Sequence, residues 1–216
     1  MSWIMTCSSV NGAVIGELPG PCLLFRDVSH RRLRASMRPI PDGYTITRSD
    51  PDEVAALIEI NLAADQLFAP TGLIGEDDLL DHVPEAVLHD AIAAQHVLVV
   101  RTQRGVPVGF ALTSERGETL YLDQISVHPD HGRRGLGAAL VRRVIADARH
   151  RRLKAVTLST FRDLPWNGPF YRKLGFKEIP EHKLAPWMIT LQTAQAETLD
   201  VSKRCFMRRR FALDWG

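Results

Sequence analysis

A glycine-rich segment in the middle of the chain has the composition of a phosphate-binding loop. It reads His131-Gly132-Arg133-Arg134-Gly135-Leu136-Gly137-Ala138 and lies between a β-prone run and an amphipathic stretch. Glycine lets the backbone approach an anion closely and adopt positive φ. The first amides of a helix have no intrahelical acceptor and carry partial positive charge, to which the two arginines add. The segment therefore predicts a site for a phosphate or pyrophosphate, with a solvated basic turn as the structural alternative.

The spacing of these glycines excludes two common phosphate-binding motifs. No Gly-Lys-Ser/Thr follows, as a Walker loop requires. The order Gly-x-x-Gly-x-Gly also differs from the Gly-x-Gly-x-x-Gly of dinucleotide-binding folds, and the preceding strand does not open the fold. Taken alone, the segment indicates a phosphorylated ligand without identifying it.

The residues before the loop predict an antiparallel meander. Three β-prone runs occupy residues 96–102, 108–113 and 120–127. Only tight turns at Arg104-Gly105 and Gly117 separate them, so consecutive runs are expected to pair with each other.

The residues after the loop predict a parallel strand pair. Apolar residues four apart, from Leu136 to Ala148, favour a helix, and residues 155–159 form a further apolar run. A strand, a helix and a strand in one sheet make a right-handed crossover, so this run is expected to lie parallel to the strand before the loop. The fold class is thus α/β, a mixed sheet with helices on both faces. The remaining predicted elements are a strand at 44–47, helices at 49–67 and 76–94 (the second interrupted at Pro84), a short helix at 168–174, a strand at 176–179, a helix at 186–199 and a closing strand at 204–211.

Length and composition suit one ordinary globular domain. The chain has 216 residues, of which 45% are hydrophobic and 24% charged, and a net charge of +2 does not by itself favour a nucleic-acid partner. Residues 1–36 show no sustained period, and we treat them as an extension, either flexible or upstream of a start at Met37, ahead of a single domain at 37–216. The three cysteines are isolated, so no metal site is expected and a reducing cytoplasm fits. No apolar run approaches the roughly 18 residues of a membrane span.

Two segments of the chain match one known pattern. Residues 122–129, Leu-Asp-Gln-Ile-Ser-Val-His-Pro, lead into the glycine loop and its helix. Asn167-Gly168-Pro169-Phe170-Tyr171-Arg172-Lys173-Leu174-Gly175-Phe176 follows about 30 residues after the loop. Together they resemble the GNAT superfamily of acetyl-CoA-dependent N-acetyltransferases, in which a strand ending in Val-x-Pro precedes (Gln/Arg)-x-x-Gly-x-(Gly/Ala) and a later segment reads Asn-…-Phe-Tyr-x-x-x-Gly-Phe. The resemblance covers residues 44–211. Gly132 departs from it by occupying the Gln/Arg position, and residues 160–167 resemble a bacterial subgroup of the superfamily.

The resemblance implies direct transfer of an acetyl group from acetyl-CoA to a primary amine in a ternary complex, without a metal. It implies that Tyr171 is the general acid that protonates the departing thiolate. Asp123, on the strand before the loop, is a candidate general base, and Glu118 is a weaker one. Asn167 is expected to contact coenzyme A, to cap the helix at Gly168, or both. The full set of implied cofactor-binding residues is Ile125 and Val127 through their backbone amides, Gly132, Arg133, Arg134, Gly135, Leu136, Gly137, Ala138, Asn167 and Tyr171.

Position along the chain indicates where the acceptor amine binds. Phe161, Asp163 and Trp166 precede the Tyr171 helix, and Gln66 and Phe68 lie between the first two helices, so these five are candidate acceptor-pocket residues. The acceptor is a small-molecule or protein amine whose identity the sequence leaves open.

Two other functions and a dimer stay open at this point. Gly132 would suit an acyl-CoA-binding domain without catalysis, against which Tyr171 argues. Arg204 and residues 208–210, interleaved with Phe206 and Phe211, would suit a nucleic-acid-binding strand. The residues after Pro186 are a candidate dimer edge.

Overall fold

Seven strands form one mixed sheet in a computed structural model of the protein, which describes residues 40–211. The strand order is β1-β2-β3-β4-β5-β7-β6. The predicted extension at residues 1–36, with Cys7 and Cys22, lies outside the described residues. The strands are β1 (Tyr44–Arg48), β2 (Val97–Thr102), β3 (Pro107–Arg116), β4 (Thr119–Val127), β5 (Ala155–Phe161), β6 (Lys177–Glu178) and β7 (Arg204–Arg210).

Helices cover both faces of this sheet, as the sequence predicts. One face packs on α3, where Leu136, Leu140 and Val144 meet Leu120 and other side chains of the strands. The opposite face carries α1 and α2 over β2 and β3, and α5 over β4 and β7. The helices are α1 (Val54–Asp65), α2 (Glu85–Ala93), α3 (Leu136–His150), α4 (Gly168–Lys173) and α5 (Pro186–Gln195), with shorter 3-10 turns that include Pro51–Glu53, Gln66–Thr71, Asp77–Leu80 and Pro129–His131.

The predicted meander and the predicted crossover are both confirmed. Strands β1 to β4 pair antiparallel in sequence order. Strand β5 pairs parallel with β4 after the α3 connection. The interruption at Pro84 is also confirmed, because a 3-10 turn ends at Leu80 and α2 begins at Glu85.

Strands β4 and β5 separate soon after they meet. Their register covers only Thr119–Tyr121 of β4 against Ala155–Thr157 of β5. Beyond that point β4 continues to Val127 and β5 to Phe161 without pairing to each other. A bulge accompanies the separation, since Leu112 of β3 faces Gln124 while the next residue, Thr113, faces Leu122, which leaves Asp123 extra. The sheet therefore opens at the end of β4 that leads into the glycine loop.

The last strand is not at the edge of the sheet. Strand β7 pairs with β5 along its whole length and with β6 at Met207 and Arg208. Strand β7 is therefore not the edge strand, because β6 pairs with two of its residues, and a dimer through the residues after Pro186 stays a prediction. Two of the residues proposed to contact nucleic acid, Arg204 and Phe206, are buried and do not reach the surface.

Candidate active site

The glycine loop ends in a helix start that lacks a side-chain cap. Gly135 holds the N-cap position of α3 with φ of +83°, a left-handed conformation that favours glycine. No side chain among residues 40–211 accepts from the first amides of α3, and its first turn contains no acidic residue. Ala139 is bonded to Gly135 O at 3.0 Å. The earlier amides of this 15-residue helix are thus left for an external acceptor, with the helix dipole favouring an anion.

Tyr44 of β1 holds the loop in place, a role that the sequence did not reveal. Its hydroxyl lies 2.9 Å from His131 Nδ1 and accepts a hydrogen bond from Arg134 at 3.1 Å. Arg134 also donates to Asp130 O at 3.3 Å. Both loop arginines are exposed, and Arg133 has a φ of +56°. Arg134 therefore braces the loop even though it is exposed.

The departure at Gly132 has a steric cause. A Cβ at this position would lie 2.9 Å from Pro129 O, inside normal contact distance. The tight turn at Pro129–His131, closed by the Gly132 amide on Pro129 O at 2.9 Å, leaves no room for a side chain. The family's Gln or Arg could enter here only if this turn moved.

We predict that Gly132→Ala lowers the free energy of unfolding by about 1–3 kcal/mol, because the turn must shift to admit the methyl group. Gly137→Ala is the matched control in the same loop. Its Cβ would meet Phe170 at an ordinary 3.8 Å, and alanine favours the helix by up to about 1 kcal/mol. Urea unfolding of both variants measures the difference. Equal stability of the two would show that the Pro129 turn does not select glycine.

The backbone of β4 offers unpaired amides to the open gap. The amide of His128, next after β4, donates to Val108 O of β3 at 2.9 Å. Alternate residues of an antiparallel strand direct their amides to opposite sides, so those of Ile125 and Val127 point away from β3. On that side β5 has already diverged. The side chains of both residues pack against the α3 core, so their contribution to a ligand is limited to the backbone.

Asn167 carries a buried acceptor atom with no partner. The residue is fully buried, and its Nδ2 donates to Thr160 Oγ1 at 2.9 Å. Its Oδ1 has no hydrogen-bond partner within residues 40–211. Asn167 occupies the predicted N-cap position of α4, but its side chain makes no capping hydrogen bond to that helix. A buried amide oxygen that is left unpaired is costly, so this atom is suited to a donor on a ligand.

Tyr171 lies in the interior, and Phe170 packs against the same cluster. The Tyr171 side chain is 2% exposed, with its ring 5.0 Å from that of Phe170 and 5.7 Å from that of Phe176. Burial raises the pKa of Tyr171 well above its ordinary value, against the opposing charge of Arg204. The phenol is thus firmly protonated at neutral pH.

Asp123 is a buried carboxyl at the bulge where β4 leaves β5. Its side chain is 5% exposed, and its Oδ2 lacks a hydrogen-bond partner in the described part of the chain. Burial raises the pKa of Asp123 to about 7, while the Ser114 hydroxyl and the charge of Arg116 act in the opposite direction. A carboxyl with this pKa can both accept and release a proton near neutral pH.

We predict that Asp123→Asn stabilises the protein increasingly as the pH rises. The folded-state pKa of about 7 exceeds the unfolded value of 3.8, so wild type loses stability between about pH 4 and pH 7 and then levels off. The difference between these two values corresponds to about 4 kcal/mol, the largest gain expected at pH 8. Urea unfolding at pH 4.5 and pH 8 measures this gain. Glu118→Gln, at an exposed side chain, is the control, and a gain independent of pH would contradict the shift.

Three of the five candidate acceptor residues come together. Phe68 is buried with its ring 5.8 Å from Phe161 and 6.2 Å from Trp166. The other two do not join them, since Gln66 is exposed and donates to Leu79 O at 3.5 Å, and Asp163 is exposed. The acceptor wall is therefore aromatic, and the weaker base candidate Glu118 is remote from it in the β3–β4 turn, paired with Lys154.

Sequence reasoning missed the cation behind this wall. The Arg204 guanidinium lies 4.8 Å from the centre of the Phe161 ring and donates to Ser159 Oγ at 3.2 Å. Burial lowers the pKa of Arg204 to about 10, so it stays charged. A basic residue at the start of a strand gives no signal of such burial in the sequence.

Known structures share this arrangement of strands and helices. An N-acetyltransferase, PaiA, from Thermoplasma acidophilum in complex with coenzyme A superposes with a TM-score of 0.62 at 14% identity, covering 78% of this chain and 99% of the other. A GNAT-family acetyltransferase from Staphylococcus aureus gives 0.58 at 17% identity, over 78% and 99%. YncA from Salmonella typhimurium, a putative acetyltransferase with acetyl-CoA, gives 0.55 at 22% identity, over 81% and 98%.

The opened mixed sheet with a glycine loop at its opening defines an acetyltransferase of the GNAT type. A family model described as acetyltransferase (GNAT) family matches residues 63–176, and the chain belongs to this family. The match begins within α1 and ends at Phe176, so it contains the loop, the bulge and the Tyr171 helix. The likeness of residues 160–167 to a bacterial subgroup stays a prediction.

Two features are absent from residues 40–211. None of the helices described there is long and apolar enough to span a membrane. Within the same part of the chain, no group of three or more His, Cys, Asp or Glu side chains is arranged to hold a metal ion.

Proposed function

We propose that the protein transfers an acetyl group from acetyl-CoA to a primary amine by direct attack in a ternary complex. The opening between β4 and β5, with unpaired β4 amides on one side and the uncapped start of α3 at its end, carries this proposal. Membership of the acetyltransferase family supports the reaction. Coenzyme A or acetyl-CoA accompanies PaiA and YncA, whose fold the chain shares.

The residues present fit acetyl-CoA. The amides of residues 135–138 and the exposed guanidinium of Arg133 would hold the pyrophosphate. The amides of Ile125 and Val127 would bond the extended arm and the thioester carbonyl along the opening. The unpaired Oδ1 of Asn167 would accept from an amide of that arm. When bound, acetyl-CoA supplies a thioester carbon that an amine can attack.

Tyr171 is assigned as the general acid. Its phenol stays protonated at neutral pH because burial raises its pKa. When the carbon–sulfur bond breaks, the hydroxyl proton passes to the thiolate sulfur, and the charge of Arg204 stabilises the tyrosinate that remains.

Asp123 is assigned as the general base. An acceptor amine arrives as an ammonium ion and must lose one proton before its nitrogen lone pair can form the new bond. The Asp123 carboxylate, at the bulge where the strands part, takes that proton directly or through one water. Its pKa of about 7 matches a base that works near neutral pH.

Release of free thiol from acetyl-CoA in the presence of a panel of primary amines and short peptides tests this function. We expect amine-dependent thiol release and a product heavier than the amine by one acetyl group. Acetyl-CoA binding without turnover on any amine would favour the alternative that the chain is an acyl-CoA-binding domain. A cytoplasmic location stays a prediction.

A further inference from the structure

A second buried carboxyl lies at the end of α1, and the mechanism above does not use it. Asp65 and Asp123 are the two buried acidic side chains among the described residues. Asp65 is 3% exposed and accepts a hydrogen bond from Asn61 Nδ2, while Asn61 Oδ1 accepts from Val83 N at 3.3 Å. The carboxyl is therefore held in one position by a side chain that is itself anchored to the backbone.

The end of α1 crosses the sheet at its opening. The first turns of α1 pack on β2 and β3 through Val54 and Leu57. The chain continues to Phe68, whose ring meets Phe161 of β5. Asp65 lies between these two contacts in the chain, and α1 also contacts β4. We therefore infer that Asp65 lies over the part of β4 that has separated from β5.

The face of β4 below this crossing is polar. Gln124 and Ser126 lie opposite Leu112 and Phe110 of β3, which belong to the core under α1, so their side chains face the same way. Both are buried, and Gln124 Nε2 donates to Ser126 Oγ at 3.0 Å. The opening thus has an apolar face toward α3 and a polar face toward α1.

Asp65 has no balancing cation within the described part of the chain. No lysine, arginine or histidine among residues 40–211 forms an ion pair with Asp65, and burial raises its pKa to about 7. A buried carboxyl without a countercharge is costly, and an ammonium group is its natural complement. In the proposed reaction, the cation that enters the site is the ammonium group of the acceptor.

The side chains near Asp65 indicate the chemical character of the rest of the acceptor molecule. Phe68 is three residues on and contacts Trp166, which is 43% exposed, and the neighbouring Leu67 is 50% exposed. Exposed large apolar side chains beside an aromatic wall mark a binding surface for an apolar group.

We propose that Asp65 binds the ammonium group of the acceptor and that the acceptor carries this group on an apolar or aromatic arm packed against Phe68, Phe161 and Trp166. Asp65 is a positioning residue that holds the ammonium as it enters, and Asp123 then takes its proton. This inference rests on the proposed function, in which an amine is the acetyl acceptor. The binding of that amine can nevertheless be measured without turnover.

The test uses two probes that differ only in charge, 2-phenylethylamine and 2-phenylethanol, titrated into the full chain with saturating CoA, which cannot transfer acetyl. Asp65→Asn keeps the shape and the acceptor for Asn61, and Asp77→Asn at an exposed side chain is the matched control. We expect Asp65→Asn to weaken the amine at least tenfold and the alcohol by less than twofold. Asp77→Asn is expected to change neither.

Trp166→Ala is a second variant, at an exposed side chain, and it leaves the buried surroundings of Asp65 unchanged. It is expected to weaken both probes by the same factor, because it removes packing and not charge. Equal amine affinity in wild type and Asp65→Asn, an equal loss for amine and alcohol, or no amine binding to wild type would each overturn the inference. Failure of the proposed function is distinct, since it appears as absence of acetyl-CoA binding in a parallel titration of the same proteins.

Discussion

Replacing Tyr171 by phenylalanine is expected to lower kcat for acetyl transfer by about 10²- to 10⁴-fold, the usual contribution of a positioned general acid. The substitution removes one oxygen and leaves the ring contacts with Phe170 and Phe176 in place. Because the phenol is buried and its pKa is raised, no water-borne acid reaches the sulfur as readily once the hydroxyl is gone. Steady-state thiol release with the best amine of the panel measures the effect.

The same variant must keep its fold and its cosubstrate for this result to be informative. We expect the affinity for acetyl-CoA to change by less than threefold and the melting temperature to stay close to that of wild type. A kcat within threefold of wild type would remove Tyr171 from the chemistry and leave it as a core residue of the α3 face.

The second large effect concerns the loop. Gly135→Glu is expected to weaken acetyl-CoA binding at least a hundredfold, for two reasons that act together. The position has φ of +83°, so any side chain strains it, and the added carboxylate lies at the start of α3 where the pyrophosphate would bind. The new carboxylate would repel the pyrophosphate, which the start of α3 otherwise attracts.

Gly105→Glu is a matched control for the strain. Gly105 has φ of +82° in the turn between β2 and β3, with open space around its missing side chain, and lies outside the loop. Both variants should lose similar stability, about 1–2 kcal/mol, but only Gly135→Glu should lose the cosubstrate. Equal loss of binding in both variants would attribute the effect to instability.

The order and direction of β2 to β5 could be predicted because these strands follow one another closely along the chain. Tight turns at Gly105 and Gly117 leave the meander few alternatives, and the crossover rule fixes the direction of β5. The position of β7 between β5 and β6 was not predictable, because that pairing joins residues far apart in the sequence. The separation of β4 from β5 was also hidden, since no glycine or proline interrupts either run before it ends.

The motifs located the site, but its buried charges came only from the fold. The resemblance to a known family singled out the loop, Asn167 and Tyr171, whose roles stay predictions. It gave no indication of Asp65 or Arg204, whose burial depends on packing between α1, β5 and β7. Gln66 shows the opposite case, because a candidate chosen by position turned out to bond the backbone at Leu79.

Acetyl-CoA is expected to lie in the opening between β4 and β5 with its pyrophosphate on the glycine loop. Amide chemical shifts of the isotope-labelled protein during titration with acetyl-CoA test this residue by residue, with free adenosine as the control ligand. We expect saturable shifts at Ile125, Val127, Gly135 and Gly137 and at the side-chain amide of Asn167, with none of these from adenosine. Saturable shifts confined to other residues, or no shifts at all, would contradict it.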